Sequence, residues 1–370
     1  MGRPYDLTKT HKFVDKSIPG ISYGFNDPST WIDTGCYLLN YLVSNRFDGG
    51  LPLEGKFCML AGDSGSGKSF IAVANLIKWC QEHGVWPVLI DTENALDMSW
   101  LEPLGVDTSE DGMDKYLGST IDDVSKLLGF VIESYKEANI SKPYKDRGKM
   151  VIIIDSIGML ITPNQDKQFM EGDQKGDLGI KAKQVTAMIR VMMSKIGSQP
   201  IGLVGTNHVF DAQDKYKPDS IAGGKMLEFA SSVIVQMNKL LLKQDENGKD
   251  LEKGVVSGIR SSCVVRKSRY AKPFEKVFID IPYDRGMNRY SGLFDLFEKK
   301  HVITKQGNRY SYTSPVTGEV FLLFRKEYRP KGLLDQIMAE WEHWENPTTA
   351  VGFDETLRPA EDFEDDEDGN

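Results

Sequence analysis

The sequence predicts an α/β fold: a mostly parallel twisted sheet flanked by helices, with an antiparallel extension and a small α+β unit at the carboxyl end. Three observations carry this. The short apolar runs "KFCMLAG", "WPVLID", "MVIIID" and "PIGLVGTN" read as strands buried on both faces. Helical patterns lie between them, the clearest over residues 177–197, where Val185, Met188, Ile189, Met192 and Ile196 share one face. The later stretches "SSVIVQMNKLLL", "VVSGIRSSCVVRKS" and "KVFIDIPY", the first two separated by an Asn247-Gly248 turn, read as antiparallel strands that extend the sheet.

Residues 1–30 are polar, with scattered apolar positions (Leu7, Phe13, Val14, Ile18) and breaks at Pro19-Gly20 and Asp27-Pro28. They are expected to form an arm that contacts another subunit. The core is expected over 31–286. Within it, "KFCMLAG" runs into a glycine-rich turn, and "SFIAVANLIKWCQEHG", residues 69–84, reads as a helix that Gly84 ends. A smaller domain is expected over 287–346, closing on a helix across "GLLDQIMAEWEHW", residues 332–344. Pro347 and an acidic run then mark 347–370 as a disordered tail.

At 370 residues the chain can bury a full core and carry additions. The longest apolar run, "MVIIIDSIGMLI", is interrupted by Asp155 and is too short for a membrane span. The start, "MGRPYDLTKTHKF", lacks the apolar stretch of a secretion signal, so a cytoplasmic protein is expected. Cys36, Cys58, Cys80 and Cys263 form no CxxC pair and fit reduced thiols. The net charge of −9 argues at first against a nucleic-acid partner. However, residues 354–370 carry −8 of it, which leaves −1 for residues 1–353. A near-neutral body with basic clusters such as "RKSRYAK" (266–272) and "EKKHVITKQGNR" (298–309) can present a positive groove.

Chemistry concentrates at the strand ends. "GDSGSGKS", residues 62–69, matches G-x-x-x-x-G-K-[ST] between a strand and a helix, which is the context that motif needs. Backbone N–H groups of such a loop wrap phosphate oxygens, Lys68 reaches the outer phosphates, and the Ser69 hydroxyl can ligate magnesium. Asp155, after four apolar β-formers, supplies the carboxylate that a phosphate-bound magnesium requires. Glu93 lies just past the strand "WPVLID", where a carboxylate could take a proton from water attacking the γ-phosphate. Asn207 and His208 end the fourth strand, where polar side chains could sense that phosphate; a structural role for a lone histidine is the competing reading.

With the 62–69 loop, "DTENALD", "IIIDS", "GTNH" and "AGGKMLEFASS" in this order, the chain resembles the RecA family of homologous-recombination ATPases. The likeness covers roughly residues 31–312. The stretch "GMNRYSGLFDL...ITKQGNRYSY" looks closest to the phage branch, the UvsX recombinases. The resemblance implies a RecA-like P-loop ATPase core. Gly62, Asp63, Ser64, Gly65, Ser66, Gly67, Lys68, Ser69 and Phe70 would then hold ATP, and Ser69 and Asp155 would hold Mg2+.

The family pattern assigns water activation to Glu93 and strand closure to Asp91. Asp97 would meet the adenine edge while capping the next helix, and Trp100 would stack on the base. Two long polar loops, 164–179 and 209–224, would hold single-stranded DNA. Their candidate contacts are Phe169, Met170, Glu171, Gly172 and Lys175 in the first, and Phe210, Tyr216, Gly223, Gly224 and Lys225 in the second. Lys267 and Arg269 align with basic residues that reach the neighbouring subunit's ATP; a solvated strand end is the alternative reading. His208 departs from the bacterial pattern, which has Gln there.

The resemblance implies a recombinase that forms a helical filament on single-stranded DNA and pairs it with homologous double-stranded DNA. A recombination mediator and a single-stranded DNA-binding protein are further implied partners, in the cytoplasm of a phage-infected bacterial host. A hexameric RecA-fold helicase or ring motor is the alternative, since it shares the P-loop, the strand-end Glu and a basic residue acting in trans. A DNA-binding accessory protein with a vestigial ATPase is opposed by the intact Lys68, Ser69, Glu93 and Asp155.

The acidic tail can compete with DNA phosphate for a basic surface carrying Lys299, Lys300, Lys305 and Arg309, and magnesium weakens such competition. Deleting 354–370 should therefore tighten double-stranded DNA binding most at low magnesium. Titrations at two magnesium levels check this; equal duplex affinity with and without the tail at both levels would leave the tail only a solubilising role.

Overall fold

The computed structural model describes residues 6–17, 27–172, 179–210, 220–243, 251–252, 254–283 and 286–345. It forms two compact units that divide between Gly292 and Leu293. In the larger unit, eight strands make one sheet. They are β1 (Phe57–Gly62), β2 (Val85–Asp91), β3 (Asp114–Leu117), β4 (Lys149–Asp155), β5 (Ile201–Asn207), β6 (Val233–Leu242), β7 (Gly258–Ser268) and β8 (Lys276–Pro282), in the spatial order β8-β7-β6-β1-β5-β4-β2-β3. The pairs from β6 to β3 are parallel, and β7 and β8 add antiparallel strands beyond β6.

Alternation explains why these runs are apolar throughout. Met59, Ala61, Val88, Ile90, Ile152, Ile154 and Leu203 pack on one face against the helices α5 (Ile121–Asn139) and α7 (Ile180–Ile196), meeting Val124, Leu128, Ile132, Val185, Ile189 and Met192. The intervening Cys58, Leu60, Leu89 and Ile153 are equally buried. Each large aliphatic so buried contributes about 1.5–3 kcal/mol. The helix predicted after the glycine-rich turn is present, but its first part, Phe70–Asn75, is π-helical, with the Leu76 N–H bonded to the Ile71 carbonyl; α3 (Leu76–Glu82) continues it. The strands of the parallel portion end on one edge of the sheet, and β1 lies between β5 and β6, both of which come much later in the chain. Such an edge, at a point where strand order breaks, is where α/β sheets bind ligands.

Several expectations need correction. β3, sequence "DKYL", has no apolar run to announce it. Side chains fasten it instead: Trp86 Nε1 donates to Asp114 at 2.8 Å, and Lys115 Nζ donates to the Leu96 carbonyl at 2.7 Å. The first half of the polar loop expected at 164–179 is helix α6 (Pro163–Glu171). Thr162 accepts from the Gln165 N–H while Gln165 accepts from the Thr162 N–H, Pro163 takes the first turn, and Gly172 ends the helix at φ 70°. Near the carboxyl end the single helix expected at 332–344 is two, α10 (Leu333–Ala339) and α11 (Glu342–Glu345). They break where Glu340 turns inward to accept a hydrogen bond from the Tyr312 hydroxyl. The Asn247-Gly248 turn lies outside the described residues.

The smaller unit has its own core: Phe294, Phe297, Tyr312, Tyr328, Leu334, Ile337 and Trp341 between a three-stranded antiparallel sheet and its helices. All four cysteines are free and buried, and burial pushes the Cys36 thiol up to about 11. Among the described residues no helix is long and apolar enough to cross a membrane.

Ahead of β1, a short ribbon (Trp31–Ile32 with Leu51–Pro52) and helix α2 (Tyr37–Ser44) lie against the sheet. Glu54 fastens this segment: its buried carboxylate accepts from the N–H and hydroxyl of both Ser29 and Thr30, at 2.6 to 3.1 Å. Burial pushes its carboxyl up, but these bonds outweigh that and hold it below the ordinary glutamate range. The resulting stability is present above the unfolded pKa of about 4.3 and is lost as pH falls through the lower native value. Glu54→Gln should cost about 1–3 kcal/mol at pH 7, with the gap to wild type narrowing below about pH 4. Denaturant unfolding across pH checks both parts; a gap constant with pH would contradict the charge-based account.

Candidate functional site

The glycine-rich loop is built around close approaches. A Cβ on Gly62 would lie 1.9 Å from the Met237 carbonyl oxygen of β6, and Gly65 and Gly67 sit at φ 68° and 94°. Lys68 is buried and donates to the carbonyls of Gly62 (2.9 Å) and Asp63 (2.7 Å). Burial lowers its ammonium pKa, opposed by Asp155, Glu93 and Asp63. Asp63, Ser64 and Gly65 are exposed, and the Ser66 hydroxyl is buried with no partner among the described residues.

Asp155 ends β4 and is buried. Burial raises its carboxyl, against hydrogen bonds from Thr206 and Ser69. The Asp155–Ser156 peptide is cis. These residues suit the groups implied: a cradle that only glycine permits suits phosphate, and one carboxylate beside one hydroxyl suits Mg2+. No cluster of three or more His, Cys, Asp or Glu is present among the described residues. Mg2+ in phosphate sites takes one or two protein ligands and fills the rest with water and phosphate oxygens.

The acidic segment after β2 divides its labour. Asp91 is 1% exposed, and its carboxylate accepts from the N–H groups of Glu93 (3.2 Å) and Leu96 (3.4 Å), with Lys115 Nζ at 3.5 Å. It shapes the turn. Glu93 leaves that turn with its side chain 34% exposed; Oε1 accepts from Ser156 Oγ at 2.7 Å and lies 3.4 Å from His208 Nε2. Asp97 sits at the start of the short helix α4 (Met98–Leu101), but its side chain makes no capping bond, so the capping expected of it is not observed and the exposed carboxylate is free to meet a ligand. Trp100 packs edge-on against Phe70, centroids 6.0 Å apart. Both line a cavity of about 550 Å³ with Lys68, Ser69, Leu104, Ile281 and Tyr283. Its size and apolar walls suit a purine.

Strand β5 ends differently for its two polar residues. His208 is open, 31% exposed, whereas Asn207 is fully buried and its amide donates to the Ala222 carbonyl at 2.7 Å. That bond, with the ribbon Val209–Phe210 against Ser220–Ile221, forms the stem of the second polar segment. Asn207 therefore holds that stem, and its amide is already engaged there. Phe210, Phe169 and Met170 are exposed, Glu171 pairs with Lys167 at 3.7 Å, and Gly223 and Gly224 take φ 90° and 85° ahead of Lys225, which opens the helix α8 (Lys225–Ala230). Lys175 and Tyr216 lie outside the described residues. Lys267 donates to the Glu228 (2.7 Å) and Phe229 (3.2 Å) carbonyls at the end of α8, and Arg269 beside it is exposed.

The profile of the RecA N-terminal domain matches residues 26–288. This chain belongs to the RecA family. It is 28% identical over 273 residues to the RecA protein of Ehrlichia chaffeensis, covering 73% of this chain and 69% of the relative. It is 28% identical over 278 residues to RecA of Cutibacterium acnes (73% and 71%), and 26% identical over 359 residues to RecA of Rhodococcus opacus (95% and 92%). RecA membership supports a general ATP-dependent role in DNA recombination and repair. It does not single out the phage branch.

Against this RecA framework, sequence reasoning missed Tyr283, Thr206 and Ser156. Tyr283 follows the strand run "KVFIDIP" and shares the cavity with Trp100, a closeness that depends on β8 and α4 converging and has no local signature. If the cavity holds the base, Trp100→Ala and Tyr283→Ala should each weaken ATP binding by about tenfold, the value of one lost aromatic stack. Calorimetric titration with a nonhydrolysable ATP analogue checks this; unchanged affinity in both would place the base elsewhere.

Proposed function

We propose that this protein is an ATP-dependent DNA strand-exchange recombinase of the UvsX type that assembles as a helical filament on single-stranded DNA. One observation carries the reading: Lys68, Ser69, Asp155 and Glu93 converge at the carboxyl edge of the sheet, and the strand that supports Asp155 through Thr206 continues directly into the stem at Asn207 and His208. Nucleotide and DNA elements then share a few consecutive residues. The likeness of residues 287–312 to the phage branch supports the finer assignment.

In the proposed reaction ATP enters with its base beside Trp100 and Tyr283 and its phosphates in the 62–69 loop. Lys68 exchanges its two carbonyl contacts for phosphate oxygens. Ser69 and Asp155 would hold magnesium, which would supply charge neutralisation at the outer phosphates. Glu93 accepts the proton of the attacking water. The exposed Arg269 is the more accessible of the two basic residues proposed to reach a neighbour's phosphates; Lys267 must first leave the end of α8. Phe169, Met170 and Phe210 are exposed for stacking on bases.

Glu93→Gln keeps shape but removes the base, so ATP hydrolysis should fall about 10²-fold or more while ATP-dependent DNA binding persists. Turnover within a few-fold of wild type would make Glu93 a structural residue. Mixing Arg269→Ala with Lys68→Ala protein should restore part of the activity that each lacks, because a mixed interface joins one intact phosphate loop to one intact arginine. No recovery at any ratio would count against an intersubunit site. Unwinding of a tailed duplex without homology would favour the ring motor.

A further inference from the structure

We infer that Ser156 is a positioning residue for Glu93: its hydroxyl holds one carboxylate oxygen so that the other faces the attacking water. This rests on the proposed role of Glu93 as base. The geometry is specific. Ser156 is fully buried and its Oγ donates to Glu93 Oε1 at 2.7 Å, the one hydrogen bond to that carboxylate from a buried side chain among the described residues.

The serine is itself fixed from both sides. Its N–H donates to Thr92 Oγ1 at 2.8 Å, and the Thr92 hydroxyl donates to the Ser156 carbonyl at 2.7 Å, while the Thr92 N–H donates to the Asp155 carbonyl at 2.8 Å. These bonds tie the residue before Glu93 to the residue after the magnesium carboxylate. Rotation of Glu93 is thereby coupled to the site that holds the phosphates. His208 Nε2 stands 3.5 Å from Ser156 Oγ and 3.4 Å from Glu93 Oε1, so the same carboxylate oxygen is shared by the serine and by the residue that opens the second segment. Gly158 permits this crowding, since a Cβ there would lie 2.7 Å from Asn207 Oδ1 and 3.0 Å from His208 Cδ2.

With Oε1 so held, Oε2 is left to accept the proton. The water oxygen bonds to the γ-phosphorus, the bond from that phosphorus to the bridging oxygen breaks, ADP leaves with the electron pair, and the water proton resides on Glu93. Without the serine hydroxyl the carboxylate is still present but samples other rotamers, so the loss falls on the chemical step and not on ATP affinity.

The test is a double-mutant cycle on ATP hydrolysis with DNA present, read by steady-state and single-turnover rates. Ser156→Ala should lower kcat about tenfold with the KM for ATP unchanged, and should have no further effect in a Glu93→Gln background. Ser156→Cys, of similar volume but a weak donor, should fold and show the same loss, which guards against a packing artefact of either variant. An unchanged kcat in both serine variants, a rise in KM without loss of kcat, or an additional loss on top of Glu93→Gln would overturn the inference. A slow Glu93→Gln enzyme beside a fully active Ser156→Ala enzyme would remove this inference alone. Rapid hydrolysis by Glu93→Gln would remove the base assignment and the inference with it.

Discussion

The in-register pairing of β2 with β4 is the constraint on which the site depends. Because Asp91 lies opposite Asp155, the two strands stop level, and the Thr92 and Ser156 exchange that follows welds their ends together. A slip of one residue would send every side chain of one strand to the opposite face of the sheet, and because both faces are packed, neither set of aliphatics would meet the partners shaped for it. The buried charge at Asp155 is tolerable because Thr206 and Ser69 donate to it and Lys68 stands nearby. Core packing thus fixes the positions of Asp155 and Glu93, the carboxylates proposed as metal ligand and base, which the chain separates by more than sixty residues.

The second consequence is how little chain separates the proposed nucleotide and DNA elements. Thr206 supports Asp155, Asn207 ties the Ala222 carbonyl, and His208 reaches toward Glu93, three consecutive residues at and just past the end of β5. A phosphate that drew on His208 would act on a residue flanked by the stem of the second segment. Two discrete arrangements of His208, with Glu93 and without it, would give such coupling a physical carrier.

Much of this was legible in the sequence because its constraints are local. The 62–69 spacing, the aliphatic runs ending in Asp91, Asp155 and Asn207, and the strand-rich later half each carry their own signal; the four parallel strands so expected lie within a residue of where the pattern placed them, while β6 and β7 begin two and three residues later, at Val233 and Gly258. What the pattern hid depends on tertiary company. β3 is a strand because Trp86 and Lys115 hold it at the sheet edge, not because "DKYL" favours extension. Helix α6 had a readable capping box at Thr162 and Gln165, which a polar composition obscured. The break at Glu340, the Lys267 contacts to α8 and the Asn207 bond to Ala222 link residues far apart in the chain, and no local spacing encodes them.

On the proposed function, occupation of the phosphate site and binding of DNA are one coupled equilibrium. It is tested most directly by measuring the affinity of a fluorescent single-stranded oligonucleotide with a nonhydrolysable ATP analogue and with ADP, and then the affinity of the analogue with and without DNA. The analogue should tighten DNA binding by at least about fivefold over ADP, and DNA should tighten analogue binding over its DNA-free value, as linkage requires. DNA affinity that is the same with either nucleotide and with none would contradict it.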